Sequence, residues 1–106
     1  METITSAISK GDLVTLSSYL DDTVEISVME KGDIYLKKEA IDKLKAFFDT
    51  SKPASFQSVH RGESEGKSSL YCIGNLTTNT NNYRVYLYIK VQQGQYYIQE
   101  IRFDKN

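Results

Sequence analysis

Apart from its carboxylates, this sequence has few side chains with the chemistry of a catalytic group. His60 is the only histidine and Cys72 the only cysteine, so a general base is available, and a thiol nucleophile would be available if the two side chains met. A turn near Ser64-Glu65 would place His60 opposite about Ser69 instead, which argues against such a pair. One histidine and one cysteine also lack the spacing of a metal site. We therefore expect no catalytic residue, no metal and no cofactor.

His60 has two interpretations in this sequence. In the first, it lies in a pocket and serves as the base of a small-molecule enzyme. In the second, it is a strand residue at the sheet surface, next to Arg61 and a solvated turn. Its polar neighbours favour the second interpretation, and the first stays open.

A further group of polar candidates lies on the last two β-rich segments. Arg84, Tyr86, Glu100 and Arg102 alternate with apolar residues, and a charged side chain on a sheet face must be paired or reach water. These four residues, together with His60, are candidates for a polar lining at a pocket mouth that would hold an anionic or hydroxylated ligand. The alternative is cross-strand ion pairing on an exposed face, which contributes well under about 1 kcal/mol.

Tyrosine is the one residue type in excess, and most of it falls near the C-terminus. Five of the eight tyrosines lie on the last two predicted strands: Tyr83, Tyr86, Tyr88, Tyr96 and Tyr97. Tyr86 and Tyr88 alternate with an apolar series that should face the helices: Val85, Leu87, Ile89 and Val91. Aromatic rings with polar tips suit a protein–protein surface, so Tyr86, Tyr88 and Lys90 are interface candidates. Ordinary β-propensity explains the same tyrosines comparably well.

Three acidic residues near the N-terminus lie beside apolar segments, where an enzyme could keep an acid. Asp12 follows Gly11, a residue that ends helices because it adopts positive φ easily, so Asp12 is placed to cap the next helix. Asp21 and Asp22 follow that helix and precede a strand pattern. We interpret all three carboxylates as structural rather than catalytic.

Apolar spacing predicts the elements that position these residues. Three helices are expected, one through Ile4, Ala7 and Ile8, one through Leu13, Leu16 and Leu20, and one over about residues 38–49. Six strands are expected over residues 24–28, 34–36, 56–61, 70–78, 83–91 and 96–103, joined by turns at residues 29–33, 65–66, 79–82 and 93–94. The order α-α-β-β-α-β-β-β-β predicts an α+β fold in which a curved antiparallel sheet wraps around the N-terminal helices.

The last predicted strand is irregular. Ile98, Ile101 and Phe103 break strict alternation. A β-bulge near Gln99-Glu100 would return the apolar side chains to one face.

Length and composition restrict the class of protein. With 106 residues the chain is expected to form one domain, residues 1–106. The net charge is −1, and acidic residues interrupt the lysine-rich segment 37–45, so a nucleic-acid partner is not expected. No stretch is long and apolar enough to insert in a membrane.

Several motifs, and the order of elements, resemble the nuclear transport factor 2-like superfamily. The motifs are Lys10-Gly11-Asp12, Ser18-Tyr19-Leu20-Asp21-Asp22, Val24-Glu25-Ile26, Phe47-Phe48, Tyr83-Arg84-Val85-Tyr86 and Tyr97-Ile98-Gln99-Glu100-Ile101-Arg102. Within the superfamily the sequence is similar to an uncharacterised bacterial branch, found chiefly in Bacteroidetes and described only as a domain of unknown function. The resemblance implies a cone-shaped, cystatin-like fold, a pocket at the open end, dimerisation through the sheet and export from the cytoplasm.

The resemblance also allows a comparison with the ketosteroid isomerases of the superfamily. Their carboxylate base corresponds to Ile26 here, one of their donors falls near Ile4, and the other falls near Tyr86. One possible donor without a base is not a catalytic constellation.

We therefore expect a non-catalytic binding or protein-interaction domain that forms a homodimer through its sheet. The expected location is periplasmic or otherwise exported, and a cytoplasmic location stays open. A small hydrophobic or anionic ligand is a further possible partner. The alternative is an isomerase-like or dehydratase-like enzyme that uses His60 or Glu100 as a base inside the cone.

Overall fold

The computed structural model describes residues 1–64, 66 and 68–106. Its helices are α1 (Glu2–Lys10), α2 (Leu13–Tyr19) and α3 (Lys37–Thr50). Its strands are β1 (Leu20–Val28), β2 (Lys31–Leu36), β3 (Pro53–Glu63), β4 (Ser69–Thr78), β5 (Asn82–Gln92) and β6 (Gln95–Lys105). This order confirms the predicted α+β succession. None of the described helices is long and apolar enough to cross a membrane.

The boundary between α1 and α2 is formed as the sequence predicts. Gly11 has a φ of 66°, and its N–H donates to the Ile8 carbonyl, which ends α1. The Asp12 carboxylate then accepts hydrogen bonds from the Thr15 N–H at 3.2 Å and the Thr15 hydroxyl at 2.7 Å. These bonds lower the pKa of Asp12. One detail differs, because Leu20 begins β1 instead of continuing α2.

The six strands form one sheet in the order β2-β1-β6-β5-β4-β3. All neighbouring pairs run antiparallel except β1 and β6, which run parallel. The sequence patterns did not indicate this pair, because β1 and β6 stand at opposite ends of the chain. Strands β2 and β3 are the two edges of the sheet.

The helices pack on one face of the sheet, which we call the inner face. On β5 this face carries Val85, Leu87 and Ile89, all fully buried, as predicted, while Val91 near the strand end is half-buried. The helical side chains that complete the core include Ile4, Ile8, Leu16 and Leu44, each at most 1% exposed. The helices are therefore held by apolar burial, the largest favourable contribution to folding.

The predicted bulge is present at Gln99 of β6. Tyr88 pairs with Glu100, but the next residue of β5, Ile89, pairs with Ile98, so Gln99 has no cross-strand partner. The extra residue returns Ile101 to the inner face. The side-chain amide of Gln99 donates to the Asp21 carboxylate at 3.0 Å and is the main cause of that carboxyl's lowered pKa.

The predicted register of β3 against β4 is wrong. His60 pairs with Ile73 rather than with about Ser69. Within the connecting loop, the Ser64 N–H donates to the Ser69 carbonyl, so the loop is longer than a tight turn at Ser64-Glu65 would be. Glu65, and with it part of the predicted turn, lies outside the described residues.

A two-residue turn, Met29–Glu30, joins β1 to β2. Met29 has a φ of 54° and Glu30 a φ of 71°. These left-handed values fit a type I′ hairpin turn, in which glycine or asparagine normally occupies such positions. A residue with a β-carbon costs roughly 1–2 kcal/mol in this region, so the turn is a local source of strain.

Replacing the Asp12 cap tests the first helix boundary. Asp12→Ala removes the acceptor for the Thr15 N–H, and we expect the free energy of unfolding to fall by about 1 kcal/mol. Urea denaturation measures this loss. Asp22→Ala is the matched control, because Asp22 is exposed and its removal should change stability by less than about 0.5 kcal/mol. Equal losses in the two variants would contradict the capping role.

Replacing a residue of the strained turn should stabilise the chain. Glu30→Gly relieves the steric cost of positive φ, and we expect thermal and urea denaturation to show a gain of about 1 kcal/mol. Glu30→Ala keeps the β-carbon and is the control, for which no comparable gain is expected. A loss of stability in the glycine variant would contradict the strained geometry.

Candidate functional site

All seven residues proposed from the sequence lie on one side of the sheet. They are His60 of β3, Arg84, Tyr86, Tyr88 and Lys90 of β5, and Glu100 and Arg102 of β6. This side is opposite to Val85, Leu87 and Ile89, and we call it the outer face. The three helices pack on the inner face, so none of them covers these residues in the described chain.

One row across the outer face has Tyr86 at its centre. Through cross-strand pairing, His60 lies next to Ile73, Ile73 next to Tyr86, Tyr86 next to Arg102, and Arg102 next to Ser27 of β1. The row combines an aromatic ring with an aliphatic side chain on one side and a guanidinium on the other. Such a mixture is typical of the contact surfaces of proteins.

The neighbouring row contains two adjacent carboxylates. Tyr71 pairs with Tyr88, Tyr88 with Glu100, Glu100 with Glu25, and Glu25 with Ile34 of the edge strand. Like charges directly opposite each other on neighbouring strands destabilise a sheet. This row therefore contains an electrostatic conflict that a nearby cation would relieve.

The pKa values of two groups reflect this environment. Burial, and next the neighbouring Glu25 carboxylate, raise the pKa of Glu100, and the Arg102 guanidinium only partly offsets these effects. Burial also raises the pKa of the Tyr86 hydroxyl, with Glu100 as the next cause. The centre of the outer face is thus less well hydrated than an open surface, and its acid is incompletely neutralised.

His60 lies on the outer face and not inside the cone. Its Nε2 atom is 2.9 Å from the Tyr71 hydroxyl, and the residue is exposed. Glu100 is on the same outer face, so both residues that the enzyme hypothesis would use as a base lie outside the core. The corresponding isomerase positions, Ile4 and Ile26, are buried and apolar.

The charged residues around the centre have their own contacts. Lys90 lies 3.7 Å from the Asp21 carboxylate, and its ammonium is 5.9 Å from the centre of the Tyr97 ring. Arg102 is 3.9 Å from Asp104 on its own strand. These long, partly exposed contacts contribute at most about 1 kcal/mol each.

Sequence reasoning missed two apolar residues at the edge of the same face. Ile34 is 66% exposed and pairs with Glu25, and Leu36 is 61% exposed and pairs with Thr23. Both therefore extend the outer face across β2. The alternation of Ile34 and Leu36 was visible, but a six-residue strand does not reveal which of its sides meets the helices.

A cavity of about 590 Å³ lies at the end of the sheet where β3 turns into β4 and β5 into β6. Leu70, Val91, Tyr96 and Met1 contribute to its wall, with the charged side chain of Arg61 beside them. Arg61 pairs with Cys72, which pairs with the buried Leu87, so Arg61 lies on the inner side of the sheet. We call this space the end cavity.

Three hydrogen bonds fix the guanidinium of Arg61. Its Nε and Nη2 atoms donate to the Ser58 hydroxyl at 3.3 and 3.1 Å, and its Nη1 donates to the Glu2 carboxylate of α1. The hydrogen bond to Arg61 is the main cause of the lowered pKa of Glu2. Sequence reasoning missed Arg61 as a site residue because Glu2 is 59 positions away.

No residue arrangement in the described chain suggests a metal centre. Nowhere among residues 1–64, 66 and 68–106 do three His, Cys, Asp or Glu side chains group in a way that could hold a metal ion. Cys72 is fully buried. Its thiol contacts the Ser58 hydroxyl at 3.6 Å, and it lies opposite Arg61 rather than His60.

The curved sheet around three helices places the chain in the α+β class of nuclear transport factor 2-like and cystatin-like folds. A protein named Rd1NTF2_05, carrying five substitutions, superposes with a TM-score of 0.74 at 16% identity, covering 96% of this chain and 90% of its own. A cystatin-like protein of unknown function from Nostoc punctiforme superposes with a TM-score of 0.70 at 10% identity, covering 99% and 84%. These two likenesses concern the fold alone.

Within that class, the chain belongs to the family described as Domain of unknown function (DUF4783), which it matches over residues 1–104. A crystal structure of a DUF4783 family protein from Bacteroides uniformis is 32% identical, with a TM-score of 0.91 and coverage of 99% of this chain and 95% of the other. The resemblance seen in the sequence is therefore confirmed. No curated protein matches the chain.

The environment of Glu100 predicts a pH-dependent effect. Because its pKa in the folded chain is raised above the ordinary 4.5, the charged form disfavours folding above that raised pKa, and the effect disappears as the pH falls below 4.5. We expect Glu100→Gln to be more stable than the parent at pH 7, by less than about 1 kcal/mol because water screens the partly exposed group.

Urea denaturation of dilute protein at pH 7 and pH 4 measures this difference. The advantage of Glu100→Gln should be present at pH 7 and absent at pH 4. Glu30→Gln removes an exposed carboxylate from the β1–β2 turn and serves as the control for net charge. An advantage of equal size at both pH values would contradict the role of the carboxylate.

Proposed function

We propose that this protein is a non-catalytic interaction domain that forms a homodimer through the outer face of its sheet. The observation that carries the proposal is that Ile34 and Leu36 of β2 and Tyr86 and Tyr88 of β5 share a face that the helices leave uncovered, with charged residues of β6 and β1 between them. Exposed aromatic and aliphatic side chains that share an uncovered face with polar residues are typical of interaction sites.

The distribution of charge on this face supports a second copy as the partner. Glu25 and Glu100 form an acidic pair in one row, and Arg102 lies in the next row with Arg84 beyond it. A two-fold axis between the rows would bring the acidic pair of one copy opposite the guanidinium groups of the other. Such a self-complementary patch is what a two-fold interface requires.

The edge of the sheet supports pairing through the face rather than through an added strand. The register of the β1–β2 hairpin directs the N–H groups of Ile34 and Leu36 toward the free edge. The Asp33 carboxylate accepts from the Ile34 N–H at 2.8 Å, and the Glu39 carboxylate accepts from the Leu36 N–H at 3.1 Å. Carboxylates at these donors discourage another strand from pairing with β2.

No observation favours the enzyme alternative over this proposal. His60 and Glu100, the two bases it would use, lie on the outer face, and a general base must come within hydrogen-bonding reach of a bound substrate. His60 is exposed and hydrogen-bonded to Tyr71. A protein–protein contact explains both positions without a reaction.

We also propose that the protein acts in the periplasm or elsewhere outside the cytoplasm. The export that the family resemblance implies suggests this location, and the burial of the single thiol of Cys72 is compatible with an oxidising compartment. Fractionation of cells that produce the protein from its own gene tests the location. Recovery from the cytoplasm alone would contradict it.

A charge placed at the centre of the outer face should separate the dimer. We expect the parent protein to be a dimer in native mass spectrometry and sedimentation equilibrium, and Tyr88→Glu to be a monomer with the same circular dichroism spectrum. The added carboxylate would lie beside Glu100, where it adds a third negative charge to the row of Glu25 and Glu100 and removes an aromatic ring from the interface.

Val14→Glu is the matched control, because Val14 is 82% exposed on α2 and so lies on the helical side of the protein. It receives the same added charge and should remain a dimer. A monomeric parent at tens of micromolar, or a Tyr88→Glu variant that still dimerises, would exclude the outer face as the interface.

A further inference from the structure

The end cavity has the size and the mixed wall of a small-molecule site. Its volume of about 590 Å³ falls within the range of about 300–1,000 Å³ found for ligand pockets. Leu70 and Tyr96 are half-buried and pack against the core, and Val91 is half-buried beside them. An apolar group placed in the cavity would therefore contact a surface that is already partly dry.

Arg61 provides the polar anchor of this cavity. The Ser58 hydroxyl holds one edge of the guanidinium through Nε and Nη2, so the direction of the remaining Nη1 atom is fixed before any ligand arrives. A guanidinium held in this way loses little conformational entropy on binding and suits a carboxylate oxygen. Glu63 also lines the cavity and is exposed.

The guanidinium of Arg61 already binds a carboxylate, which belongs to Glu2. Glu2 accepts from Nη1 while 82% of its side chain is exposed, against 38% for Arg61. An exposed ion pair of this kind contributes at most about 1 kcal/mol. A ligand carboxylate that also brings an apolar group into the cavity would therefore displace Glu2 at small cost.

We propose that the end cavity binds a small monocarboxylic acid with an apolar chain. Its carboxylate replaces Glu2 on Nη1 of Arg61, and its chain lies against Leu70, Val91 and Tyr96. The anchor of this site, Arg61, is on the inner side of the sheet, and of the outer-face rows only Tyr71 contributes to the cavity wall. The protein would thus combine a ligand site with the proposed dimer interface.

Isothermal titration calorimetry with octanoate as the probe tests the site. The parent protein should bind octanoate, and 1-octanol, which lacks the charge, should bind about tenfold more weakly or not at all. Arg61→Gln should lose octanoate binding by about tenfold or more. Glu2→Gln, which removes the competing carboxylate, should bind octanoate several-fold more tightly than the parent.

The Glu2→Gln result is decisive, because an Arg61–Glu2 pair with only a structural role would leave octanoate binding in this variant unchanged or weaker. Three other results would each overturn the proposal. They are equal affinity for octanol and octanoate, unchanged binding in Arg61→Gln, and absence of octanoate binding in the parent. If Arg61→Gln fails to fold, Arg61→Lys replaces it as the test variant, because it keeps the charge and should keep part of the affinity. A folded Arg61→Lys variant that does not bind octanoate would also contradict the proposal. Repeating the titration with Tyr88→Glu separates this test from that of the dimer, since binding should not depend on the oligomeric state.

Discussion

The bulge at Gln99 is the constraint on which both faces of the sheet depend. Side chains of a strand alternate between faces, so without the extra residue the segment after Ile98 would turn Ile101 outward and Glu100 into the core. Only the bulged register buries the apolar side chains of β6 against the helices. Gln99 also binds Asp21, whose carboxylate lies near Lys90, so the bulge ties β6 to the start of β1 and to β5.

The bulge determines which side chains of β6 face the helices and which face outward. The protein then has two surfaces with different properties. The outer face is broad and presents tyrosines, exposed aliphatic side chains and charges of both signs, which suits contact with a large partner. The end cavity is concave and has one fixed guanidinium beside an apolar wall, which suits a small acid. Arg61 is thus a charged residue on the inner side of the sheet, where its side chain stays partly exposed and donates three hydrogen bonds to Ser58 and Glu2.

The family and the fold do not by themselves assign a function. Proteins with this α+β architecture superpose on the chain at 10% and 16% identity, so very different sequences adopt the same fold. A fold of this kind carries different sites on one scaffold. What this chain adds to the fold is a pair of carboxylates beside tyrosines, carboxylates at the donors of the sheet edge, and a preoriented arginine.

The sequence by itself determined the order of elements, the Asp12 cap, the side of Val85, Leu87 and Ile89, and the bulge, because each follows from local spacing or backbone preference. Only the tertiary structure decided the parallel pairing of β1 with β6, the partner of His60 and the meeting of Arg61 with Glu2. These contacts join residues far apart in the chain. Local patterns do not encode such contacts, because they depend on how the whole sheet curves around the helices.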